Sequence, residues 1–208
     1  MSSARSSAAG IATGALVLAG IVGFGVGLPK VAADPVVALP TLPDEVGGLQ
    51  AVATIDPEAV GFTDADARAN FEQVAAGADE NDAEAADALA EQYGAAAVRM
   101  YVDASALQEA LSGGSIAQVT ATVVPGEAGL LMTNGPYQAA NYQLREIDGH
   151  HCAVLSRSGY SATGEESATY QVECRTSVDG VTYDVSTYGM APEDASAALD
   201  DLVAGSGA

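Results

Sequence analysis

The stretch "HHCAVLSRSGYSATGEESATYQVEC", residues 150–174, holds both cysteines and both histidines of the chain. Three chemistries suit these residue types: a thiolate–imidazole metal site, a thiol nucleophile with its base, or a structural disulfide. A zinc site needs two spaced ligand pairs, such as CxxC with HxxxH. Here the only histidines are adjacent, and neighbours on a strand point to opposite faces, so His150 and His151 do not converge on one ion. The metal option that remains is a weak surface cation site at Asp148 and His150. Against it, Asp148–Gly149 reads as a turn, with the histidines opening a strand at the solvent edge.

The disulfide agrees with the strand period. On one strand Cys152 and Val154 share a face; on the next, Tyr170, Val172 and Cys174 share one. Setting Cys152 opposite Cys174 places Val154 opposite Val172 and Ser156 opposite Tyr170, with the chain turning near Thr163–Gly164. One register therefore satisfies both the apolar face and the cysteine pair. Asp179–Gly180, a hairpin signal, then sets Cys174 opposite Val185. The bridge closes a loop of 22 residues (174 − 152), worth about 3 kcal/mol in the chain-entropy model. Paired thiols serve neither as nucleophile nor as ligands.

Pairing requires an oxidising compartment, and the N-terminus predicts one. Gly10 to Pro29 runs twenty residues without a charge, behind Arg5. A signal-peptide core is typically about 7–15 residues and a bilayer span about 20. The segment 1–33 is therefore read as a transmembrane anchor, with Arg5 holding the N-terminus in the cytoplasm. The alternative is a signal peptide cut near Ala33, which would release a secreted protein. Residues 34–45, with Pro35, Pro40 and Pro43, read as an extended stalk. The body, 46–208, is expected to lie outside the membrane.

Within the body, Gly47–Gly48 marks a turn, and 49–55 reads as a first strand. Thr63 is the expected cap of a helix with the stripe Ala67, Phe71, Val74 and Ala75, stopped by Gly77. A second helix runs to Gly94 on Ala86, Leu89, Ala90 and Tyr93. "AVRMYVDA" alternates as a strand, with Val98, Met100 and Val102 on one face. "SALQEALSGG" is a short helix and "IAQVTATVV" a strand. Residues 126–140 read as a surface loop. Further strands fall near 142–147, 151–157, 169–177 and 181–187. "PEDASAALDDLVAG" closes the chain as an amphipathic helix with Ala195, Ala198, Leu199 and Leu202 inward. The expected class is α+β: an antiparallel sheet of about five to six strands, helices packed on one face, behind the N-terminal membrane segment.

The formal charge is −21, from 7 basic and 28 acidic residues. Setting aside Arg5 and Lys30 leaves five arginines against the same 28 acids. Such a field opposes nucleic acid, which needs cations to neutralise phosphate. The run Asp79, Glu80, Asp82, Glu84 lacks the glycine and terminal glutamate of an EF-hand loop, and suits a solvated helix start. Nucleophile-elbow, P-loop, dinucleotide and zincin motifs are absent from the sequence. Among 28 acids no single carboxylate pair stands out for glycoside hydrolysis.

Three segments carry a family likeness: "LPDEVGGL" after the membrane segment, "AAVRMYVD" after a helix, and "C…VECRTS…VTYDVSTYG" before the last helix. The pattern resembles small exported or membrane-anchored envelope proteins of actinobacteria without assigned activity. The resemblance places Cys152 and Cys174 at paired positions and implies no catalytic residue and no cofactor. The expected function is a non-enzymatic interaction or structural module, tethered to the membrane and meeting an envelope protein or ligand. The alternatives are a secreted cation- or small-ligand-binding domain, and a hydrolase with an unrecognised carboxylate site.

Overall fold

The computed structural model describes residues 38–111, 116–127, 142–160 and 166–207. The N-terminal segment 1–33, most of the loop 126–140 and the turn near Thr163–Gly164 lie outside the described residues. Eight strands form one antiparallel sheet in the order β1-β2-β3-β4-β8-β7-β6-β5. They are β1 (Glu45–Val46), β2 (Leu49–Ala51), β3 (Ala97–Val102), β4 (Gln118–Pro125), β5 (Tyr142–Ile147), β6 (His150–Tyr160), β7 (Glu166–Val178) and β8 (Val181–Tyr188). The helices are α1 (Ala65–Tyr93), the short α2 (Leu107–Leu111) and α3 (Pro192–Gly205). Among the described residues the sheet dominates, with few helices.

This corrects the expected α+β layout of five to six strands with helices on one face. The sheet has eight strands, the first two being only two and three residues long. The helices also lie on opposite faces. Val102 and Met100 of β3 pack with Phe71 and Ala78 of α1, in a cluster that includes Val52, Ile55, Phe62 and Leu107. The alternate residues Arg99 and Tyr101 point the other way. On that second face α3 reaches Arg145 through Glu193 and His150 through Asp200, and Arg145 stands in register with Cys152. The physical reason is that the strands are buried on both parities. Tyr101 and Val102 are consecutive and both buried, as are Val181 to Val185. A sheet buried on both sides needs cover on both sides.

The two helices expected over 63–94 are one, running straight through Gly77. Its cap is Asp64, whose Oδ1 accepts from the Ala67 N–H at 2.8 Å, not Thr63. Gly94, in the left-handed region, ends it as expected. A mid-helix glycine costs about 1 kcal/mol against alanine, less than the alanine-rich flanks and packing supply. Phe71 is buried, and Ala67 and Ala75 are partly buried against the cluster, but Val74 is exposed. A Cβ at Gly77 would meet nothing within 4 Å. Gly77→Ala should therefore stabilise the protein by about 0.5–1 kcal/mol, read as a higher urea midpoint at unchanged slope. A neutral or lower midpoint would mean that α1 is strained there.

The described part of the proline-rich segment is bound to the sheet. Arg99 Nη1 donates to the carbonyls of Leu42 (2.9 Å) and Pro43 (3.1 Å) and to Asp44 Oδ1 (3.1 Å). Tyr101 Oη donates to the Pro43 carbonyl at 2.8 Å, and burial pushes its phenol up to about 12. Leu42 is buried, so the folded unit begins before residue 46, at about Ala38. Gly47 and Gly48 turn the chain with φ of +59° and +72°. Gly47 also touches α3, where a Cβ would come within 2.8 Å of Ala198 Cβ. Conformation and contact thus both require glycine there.

Candidate functional site

Cys152 and Cys174 stand directly opposite each other on β6 and β7, as do Val154 and Val172, and Ser156 and Tyr170. Cys174 also faces Val185 across the Asp179–Gly180 turn. The cysteines are joined by a disulfide with Cα atoms 4.1 Å apart. Both are fully buried, beneath α3.

The two other expected site residues are not brought into a metal site. Asp148 sits in the β5–β6 turn with φ of +50° and is exposed. His150 turns to α3 instead, its Nε2 lying 2.8 Å from Asp200 Oδ1. Its Nδ1 is buried, with no hydrogen-bond partner among the described residues. Together with Ser196 Oγ, which donates to the Ile147 carbonyl at 3.0 Å, and the Arg145–Glu193 pair, this fastens the β5–β6 hairpin to α3. The α3 residues 193, 196 and 200 follow helical spacing. Among the described residues, no group of three or more His, Cys, Asp or Glu is placed to hold a metal ion.

The constellation missed by sequence reasoning lies on the opposite face, the one that carries α1. Arg175 on β7 pairs in register with Asp184 on β8, and Glu173 lies two residues from Arg175 on the same face. Arg175 Nε donates to Asp184 Oδ2 at 3.0 Å, and its Nη2 lies 3.7 Å from Glu173 Oε1. Residue exposures are 7% for Glu173, 6% for Arg175 and 5% for Asp184. Around them stand Thr122, opposite Asp184 on β4, and Ala153, opposite Glu173 on β6. Burial pushes the Asp184 carboxyl up to about 7. The Glu173 charge adds to that rise, and the Arg175 guanidinium opposes it. Charged groups removed from water must be compensated. The signal was in the sequence: once Cys174 faces Val185, Arg175 must face Asp184.

Fold and cluster together define a disulfide-bonded antiparallel-sheet protein whose central charged group is closed to solvent. No protein-family model, no curated protein and no solved structure matches the chain.

Proposed function

We propose that this is an exported envelope protein whose folded unit is a non-enzymatic interaction or structural module, tethered by its N-terminal segment. The observation that carries the reading is the buried Cys152–Cys174 disulfide, because such bonds form and persist in oxidising compartments. The acidic balance of 28 acids against 7 bases supports a highly solvated surface rather than one that takes nucleic acid. The converging carboxyls, Glu173 and Asp184, are buried against Arg175. A hydrolase would need such a pair to meet substrate and water, and these two are only 7% and 5% exposed.

Intact mass of the protein from its own host, alkylated with and without reductant, tests the reading. The expected result is the full-length mass, with two thiols alkylated only after reduction. Alkylation without reductant would remove the basis for export. A mass lacking residues 1–33 would keep export and replace the tether with a released protein.

A further inference from the structure

The end strand of a sheet offers a row of backbone donors and acceptors that recruits further strands unless it is blunted. β1 and β5 are the two ends here. The first end is blunted. β1 is two residues long, and β2 pairs with only Tyr101 and Val102 of β3. Next to them, Asp82 Oδ2 of α1 accepts from the Met100 N–H at 2.9 Å, so a side chain stands where a strand would.

β5 is built differently. Its six residues pair with β6 without interruption, from Tyr142 opposite Leu155 to Ile147 opposite His150. Every second residue therefore turns its N–H and C=O away from β6, and among the described residues no strand meets them. Gln143, Leu144, Arg145 and Glu146 are all exposed, Leu144 to 56%. The two faces of the strand differ. Arg145 is turned to Glu193 of α3, at 3.9 Å. Leu144 and Glu146 lie on the opposite face, in register with Ala153 and His151. An added antiparallel strand would meet Glu146 first and Leu144 two residues later.

We propose that β5 is a strand-addition site for an extended, basic polypeptide segment, with Lys or Arg opposite Glu146 and an aliphatic residue opposite Leu144. Main-chain bonds supply the affinity and the alternate side chains the selection. The formal charge of −21 draws a cationic segment and opposes a second copy of the chain, which brings the same charge. This site is the surface of the interaction module proposed above and rests on that reading. The two can fail separately, since mass and alkylation decide tether and export, and strand addition decides the edge.

The probe is the peptide acetyl-TKTVTV-amide, whose Lys and first Val fall opposite Glu146 and Leu144 when its first residue lies opposite Ile147. Hydrogen exchange of the full chain is followed with the peptide at about 1 mM, enough to fill a weak site. The outward amides of β5 should slow. A copy N-methylated at every amide should protect nothing, a comparison that needs no variant. By fluorescence anisotropy, Glu146→Lys should weaken TKTVTV at least about threefold and strengthen TETVTV by a similar factor. No protection, protection by the methylated copy, or a preference that Glu146→Lys leaves unchanged would each overturn the site. So would outward β5 amides already slow in the free monomer, where a segment of this chain holds the edge. Protection that grows with protein concentration alone would assign the edge to a second copy and overturn it too.

Discussion

Replacing Arg175 by methionine is expected to cost about 3–5 kcal/mol near neutral pH, the usual penalty for removing one partner of a buried ion pair. Methionine keeps much of the apolar stem and volume, so the loss is of charge and donors rather than of packing. What remains is two buried carboxyls, Glu173 and Asp184, without the cation that compensates them. Both then hold protons more tightly, so the cost should grow toward alkaline pH and shrink toward about pH 5. Equilibrium urea unfolding at several pH values measures this. Arg175→Met combined with Asp184→Asn should cost less than the sum of the single changes, because the second removes one of the charges that the first leaves stranded. A loss below about 1 kcal/mol at neutral pH, or strict additivity, would show that the guanidinium is not what compensates these acids.

The cluster also marks where sequence reasoning stops. Strand spans from β3 onward and the β6–β7–β8 register follow from period two and the Asp179–Gly180 turn, and the helix 192–205 from its 3.6-residue stripe. Each rests on a pattern inside one element or across one hairpin. The number of layers is not local. Tyr101 and Val102 are consecutive apolar residues, and alternation alone assigns only one of them inward. Burial of both places α1 and α3 on opposite faces. Likewise Gly77 is a stop signal that a long alanine-rich helix overrides, since about 1 kcal/mol is small beside the packing of Phe71. The proline-rich segment misleads for a related reason. Its carbonyls at Leu42 and Pro43 are held by Arg99 and Tyr101, more than fifty residues away in the chain. The charged residues of β7 and β8 resemble solvent-facing positions until the neighbouring strands are placed.

Removing the disulfide, by Cys152→Ala with Cys174→Ala, is expected to cost about 3 kcal/mol for its 22-residue separation. Both side chains are fully buried among Val154, Val172 and Val185, so alanine adds a small packing loss to the gain in unfolded-chain entropy. The register itself should survive. β6 and β7 share ten paired positions, and the apolar face specifies the same alignment without the bond. The double variant should therefore fold to the same structure with a lower midpoint, and its unfolding slope should rise as the unfolded chain expands. Denaturant unfolding of the variant and of reduced wild type checks this, and the two should agree. A variant that loses the β6–β7 amide protection under native conditions would mean that the bond, not the side-chain pattern, sets the pairing. The Arg175 and cysteine positions are adjacent in sequence but point to opposite faces of β7. Their effects should thus add if the sheet transmits no strain between its two covered sides, and a shortfall from additivity would measure that coupling directly.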